Sequence, residues 1–160
     1  MSSSDNSKLV VRYLKAELAA ARSGDFTVAN QFVAEDASFS DPGPIASSGP
    51  SAHQQRWQDL VGAFTDLAFD IHDVIEAGDR VVARWSMRGV HGGGFSGIAP
   101  TGREVAITGI TIYRTADDKI AEAWSSYDEL GMLEQLGVVF QDVDGDYENP
   151  DPASDFGMII

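Results

Sequence analysis

The sequence predicts an α+β domain in which a curved antiparallel sheet wraps on about three N-terminal helices to leave a cone-shaped interior. Two observations predict it. Apolar residues recur at three- and four-residue steps as far as Phe64 and at two-residue steps after it. Turn signals then cut the second half into successive strands that must run antiparallel, because their connections are short. Helices gathered early and strands gathered late argue against alternating βα units.

Each element has its own signal. Leu9, Val10, Tyr13, Leu14, Glu17, Leu18 and Ala21 mark a first helix, with Ser7 as its cap, Gly24 as its stop and residues 1–6 disordered. Asp25 caps a short second helix that turns Phe26, Ala29, Phe32 and Val33 inward. Asp36 to Ser40 reads as a strand closed by Asp41–Pro42–Gly43–Pro44, and the Gly/Ser/Pro-rich stretch to Pro50 as a loop. A third helix spans about Ser51–Phe64, with His53, Trp57, Leu60, Val61 and Phe64 on one face. One strand then carries Phe69, Ile71, Val74 and Ile75. The turn at Gly78–Asp79 leads into Arg80–Val90, Glu104–Arg114 and Lys119–Ser126, the last two joined at Asp117–Asp118. A short C-terminal helix runs from Asp128 to about Gly137. The domain organisation is therefore a cone over residues 7–140, followed by an acidic tail over residues 141–160.

The chain has 160 residues, enough for one self-supporting core. Its 25 acidic and 11 basic side chains leave a formal charge of −14. A field of that sign repels phosphate backbones and anionic lipid, so neither nucleic acid nor membrane is an expected partner. Six of the acids fall in the tail. There, Asp142, Asp144, Gly145 and Asp146 lack the glycine and glutamate placement of a calcium loop, so the stretch reads as a solvated tail. The chain contains no cysteine, which removes thiolate chemistry and suits a reducing compartment. Its first residues lack the order of a secretory signal, and no apolar run is long enough to span a bilayer. A cytoplasmic protein is the expectation.

The run Gly89–Val90–His91–Gly92–Gly93–Gly94–Phe95–Ser96–Gly97, followed by Pro100–Thr101–Gly102–Arg103, resembles the strand–turn–strand signature of SnoaL-like polyketide cyclases. Lys119–Ile120–Ala121–Glu122–Ala123–Trp124, Asp128–Glu129–Leu130–Gly131 and Gln135–Leu136–Gly137 resemble that family's C-terminal signature. The likeness covers about Lys8 to Val138. It implies the fold of the nuclear-transport-factor-2-like superfamily, an internal pocket for a small apolar, polyketide-like molecule, a homodimer, and ring closure without metal or organic cofactor. It also implies a last-strand carboxylate and, on the preceding strand, a histidine. Those positions hold Ser125 and Thr111 here, and neither hydroxyl can serve as a general base unaided.

Acid–base work must then come from elsewhere. His91 shares strand parity with Ala83, Trp85, Met87 and Gly89, which places it on an apolar inner face where a neutral imidazole suits a base. Its plainer role is to bond the glycine-rich turn. Asp41, before Pro42, is a second candidate base, and turn initiation is its plainer role. Trp57 and His53, on the inner face of the third helix, are candidate substrate-binding residues, with Trp85, Thr111, Tyr113 and Ser125 from the strands. The hydroxyls of this set would hold a developing oxyanion. Asp128 has the position of a helix cap. Arg84, Arg88 and Trp124 fall on the outer face, with Glu122 expected beside the arginines. Three readings stay open: a cyclase or isomerase, an epoxide or ester hydrolase on the same cone, and a ligand-binding or dimerising module.

Overall fold

The computed structural model describes residues 3–42 and 46–138. The acidic tail, including the Asp142–Asp146 run and the apolar residues 156–160, lies outside the described residues. Four helices and six strands follow one another as α1 (Ser3–Ser23), α2 (Thr27–Asn30), β1 (Val33–Ser40), β2 (Ala46–Ser48), α3 (Gly49–Ala63), β3 (Phe64–Ala77), β4 (Arg80–His91), β5 (Glu104–Ala116), β6 (Lys119–Tyr127) and α4 (Glu129–Leu136). All the strands join one sheet in the order β2-β1-β6-β5-β4-β3. Helices α1 and α3 pack on it, and α4 covers part of β5.

The expected architecture is present, with local differences. Helix α1 begins at Ser3, four residues before Ser7. Its first turn is tied to the β3–β4 corner, where Asn6 Nδ2 donates to Gly78 O (2.9 Å) and Ser7 N–H to Glu76 Oε2 (2.8 Å). Such anchoring offsets the weak helix preference of the polar N-terminal residues. Gly24 ends the helix as expected, its φ of 76° lying in the left-handed region. Asp25 Oδ1 accepts from Thr27 N–H at 2.9 Å, but the N-cap position of α2 is Phe26, and the helix ends at Asn30, so Phe32 and Val33 lie beyond it.

Within the stretch read as a loop, Ala46–Ser48 forms strand β2, which pairs with β1. Helix α3 follows from it directly at Gly49. The sheet is antiparallel except at β1–β6, which pair in parallel. That pairing joins elements far apart in the chain, Val33 with Ile120 and Ser38 with Glu122, so no turn signal announces it.

Alternation in β4 and β5 matches the strand parity. Val81, Ala83, Trp85, Met87, Gly89 and His91 are buried, and so are Val105, Ile107, Gly109, Thr111 and Tyr113, while their neighbours face outward. Register breaks in β3 between Thr65 and Ala68 and between Ile71 and Asp73 mark bulges. Asp66, at φ 53°, sits in the first of them. Bulges of this kind bend a strand and sharpen its twist, which curls the sheet around the helices.

The β5–β6 turn at Asp117 and Asp118 has both residues at positive φ, the backbone that closes two-residue hairpins. At the other end, β6 stops short of Ala106. Gln135 of α4 takes its place, accepting from Ala106 N–H (2.8 Å) and donating to Ala106 O (3.1 Å).

Candidate functional site

Two polar clusters and an aromatic wall occupy the concave side of the sheet. The first cluster lies on the strands themselves. Trp85 Nε1 donates to Thr111 Oγ1 (3.0 Å), and Thr111 Oγ1 lies 3.0 Å from Ser125 Oγ. Thr111 and Ser125, the two positions at which the resemblance implies a histidine and an acid, thus pair across β5 and β6 as two hydroxyls. Trp85 can lie flat there because its register partner is Gly109, where any Cβ would stand 2.3 Å from the indole. Tyr113 lies two residues beyond Thr111 on the same face. Burial pushes its phenol above the ordinary value, with the Thr111 hydroxyl acting in the opposite direction.

The second cluster comes from the helices. Glu17 of α1 is 1% exposed, a carboxylate inside the core. His53 Nε2 of α3 stands 3.3 Å from Glu17 Oε1 and 2.5 Å from the Tyr13 hydroxyl. The His53 ring stacks on Phe39 of β1 at 3.9 Å, and Tyr13 meets Tyr113 edge-on at 5.9 Å. Burial raises the Tyr13 phenol well above its usual value, and Glu17 beside it raises it further. Tyr13 and Tyr113 are therefore neutral phenols at physiological pH. Neither Glu17 oxygen, nor His53 Nδ1, has a hydrogen bond among the described residues.

Trp57, Phe69, Trp85 and Tyr127 form the aromatic wall, with Phe69 stacked on Trp85 at 4.9 Å and Trp57 edge-on to Phe69 at 6.3 Å. Trp57, Phe69 and Tyr127 keep partial exposure, as does Ser125. Trp57 also leans on Ala20, Phe26 and Ala29, so it joins the wall to α1 and α2.

The sequence candidates divide between these places. Thr111, Ser125, Trp85 and Tyr113 come together in the first cluster, His53 belongs to the second, and Trp57 stands in the wall. Asp41 and His91 join neither. Asp41 is paired with Arg56 of α3, whose guanidinium also neighbours Tyr127. His91 is fully buried at the end of β4, beside Phe64. Its Nδ1 accepts from Thr101 N–H (3.2 Å) and lies 3.0 Å from the Thr101 hydroxyl, while Nε2 has no partner among the described residues.

Two polar residues escaped the sequence reading. Glu17 was visible as an acid on the apolar stripe of α1, one turn from Tyr13, and that misplacement was its signal. Arg56 gave none. Asp128 is the expected cap, accepting from Gly131 N–H at 2.8 Å. On the outer face the arginine pairing differs from expectation. Glu122 bonds Arg114 (2.7 Å) and Arg84 bonds Asp73 (2.6 Å), because β5 separates β4 from β6.

Among the described residues, no three His, Cys, Asp or Glu side chains converge as a metal site would require. No described helix is long and apolar enough to cross a membrane. A cleft of about 360 Å³ lies away from the cone, between Glu35, Asp36 and Ser38 of β1 and the Arg114–Glu122 pair.

Comparison with known proteins agrees with this fold. TsrD from Streptomyces laurentii superposes with a TM-score of 0.72 at 26% identity, over 82% of this chain and 97% of that one. IdmH from Streptomyces antibioticus, a proposed polyketide cyclase, gives 0.66 at 29% identity, over 80% and 98%. A protein of Jannaschia sp. CCS1, described as SnoaL-like, gives 0.79 at 21% identity, over 86% and 95%, and speaks for the fold alone. No curated protein matches the chain. The profile of the SnoaL-like polyketide cyclases matches residues 11–136, and the chain belongs to that family.

Proposed function

We propose that this protein binds a small apolar carbonyl compound inside the cone and carries out cofactor-independent acid–base chemistry on it, closing or isomerising a ring. The observation that carries the reading is the hydroxyl pair Thr111–Ser125, fixed by the Trp85 indole N–H and bordered by Tyr113. Fixed donors of this kind are suited to a carbonyl oxygen that gains charge in the transition state. Partial exposure of Ser125, Trp57, Phe69 and Tyr127 on an otherwise buried face supports a recess there. Titration with 2-tetralone, followed by tryptophan fluorescence, tests it. Saturable quenching that disappears in a folded Ser125→Phe variant is the expected result; equal quenching by both proteins would count against the site.

The outer face supports a homodimer. Ile75, Val82, Ile112 and Trp124 form one cross-strand row over β3, β4, β5 and β6, and Ile110 stands beside it. Ile75 is 63% exposed, Ile110 47% and Ile112 39%. A second copy of this face would cover that row.

A further inference from the structure

Once the strand positions for acid and histidine hold hydroxyls, the cone needs another proton acceptor, and most of its ionisable groups are already committed. Asp41 is paired with Arg56, and His91 Nδ1 takes the Thr101 N–H. What remains is Glu17–His53, enclosed by α1, α3, β1 and the two tyrosines.

We propose that His53 is the general base of this site and that Glu17 is its positioning residue. The inference rests on the cone reading above and supplies the group that reading lacks. Glu17 Oε1 and the Tyr13 hydroxyl both meet His53 at Nε2, and a buried carboxylate can only accept. In the proposed arrangement the imidazole proton sits on Nε2, facing Glu17 Oε1 and the Tyr13 oxygen as acceptors, and the lone pair is on Nδ1. That atom has no partner among the described residues. A carboxylate fixing one ring nitrogen so that the other acts as base is a recurring catalytic arrangement.

The step balances without an oxidant or a co-reactant. Nδ1 takes a proton from the carbon next to a substrate carbonyl, the C–H electron pair becomes the enolate C=C, and the carbonyl pair moves onto oxygen beside Tyr113 and Thr111. The enolate carbon then attacks a second carbonyl of the same molecule, or is reprotonated. His53 returns the proton in either case.

A pair kept for stability alone would be expected to satisfy the carboxylate with donors, since unpaired buried oxygens cost free energy. Glu17 Oε1 has only the 3.3 Å approach of His53 Nε2, and Oε2 meets no donor at full hydrogen-bond geometry among the described residues. Strain of this sort is tolerated where activity requires it.

The experiment has two readouts on wild type and Glu17→Gln. Imidazole ¹⁵N NMR, with His72 and His91 assigned by substitution, reads the His53 tautomer without substrate. The expected spectrum shows the proton on Nε2 in wild type and a tautomer mixture in Glu17→Gln, with Glu17→Asp returning toward wild type. Deuterium uptake by 2-tetralone in D₂O reads proton abstraction. Its catalysed rate should fall by about 10²-fold or more in Glu17→Gln and in His53→Gln, at unchanged fluorescence-detected affinity. The melting temperature of Glu17→Gln should equal or exceed that of wild type.

An unchanged tautomer would overturn the proposal. So would unchanged uptake, or a fall in melting temperature with uptake per folded molecule intact. Failure of wild type to bind 2-tetralone would instead overturn the cone reading, and the tautomer spectrum would still decide the role of Glu17.

Discussion

The indole of Trp85 lies over the backbone of Gly109 on the neighbouring strand, close enough that a methyl group there would overlap it. Through that contact a glycine in β5 sets the direction of Trp85 Nε1 and with it the position of the Thr111 hydroxyl. Gly109→Ala should therefore cost about 1–3 kcal/mol, the usual range for overpacking. Near-ultraviolet circular dichroism should show the displaced indole, and thermal melting the lost stability. An unaltered tryptophan signal would mean that the ring is not held as described.

Gln135 is expected to fasten α4 to the sheet. Its side-chain amide makes both hydrogen bonds that a neighbouring strand would make to Ala106. Gln135→Ala should lower stability by about 1–2 kcal/mol, since each bond contributes roughly 0.5–1.5 kcal/mol. Hydrogen exchange at the Ala106 amide should quicken in the variant. Glu134→Ala, one residue away, is the control and should leave that amide unchanged.

Tyr13 and Tyr113 should resist alkaline titration. Burial is the first cause of the raised value in both, and in Tyr13 the neighbouring Glu17 adds to it. A phenol whose folded value is raised stabilises the fold fully below its unfolded value near 10. The contribution is lost as pH rises through the interval above that. Ultraviolet difference spectroscopy should accordingly find these two tyrosines ionising only together with unfolding, and Tyr113→Phe should unfold at higher pH than wild type. Ionisation of all tyrosines in a folded protein near pH 10 would refute the buried phenol pair.

Trp124→Arg should break the proposed dimer. The substitution puts a second cation beside Arg80, whose guanidinium sits 5.0 Å from the Trp124 ring, at the β6 end of the apolar row. Sedimentation velocity should show a dimer for wild type and a monomer for the variant. An unchanged sedimentation coefficient would remove this face from consideration.

Much of the cone was legible because strand parity is a local signal. From Ala83 to His91 and from Thr111 to Tyr113, alternation alone placed the inward side chains, and the short turns at Gly78–Asp79 and Asp117–Asp118 joined β3 to β4 and β5 to β6. The parallel pairing of β1 with β6 was not legible, since residues far apart in the chain share no local pattern. Strand β2 was hidden in Ser/Gly/Pro composition, and pairing with β1 stabilises it against its own weak preference. Site residues followed the same division. Thr111, Ser125 and Trp85 converge because parity places them on one face. Glu17 meets His53 only through helix packing, which the sequence does not display. Asp41 reads in the sequence as a candidate base or a turn-starting acid, and its pairing with Arg56 of α3 depends on helix placement that the chain does not display.

The proposed small-molecule site is the interior of the cone, against Thr111 and Ser125. A crystal structure of the protein with 2-tetralone tests it most directly. The ligand is expected between Trp57, Trp85 and Tyr127, its carbonyl oxygen within hydrogen-bond reach of the Thr111, Ser125 or Tyr113 hydroxyl. Ligand found only in the cleft beside Arg114 and Glu122, or only on the outer face of the sheet, would contradict it.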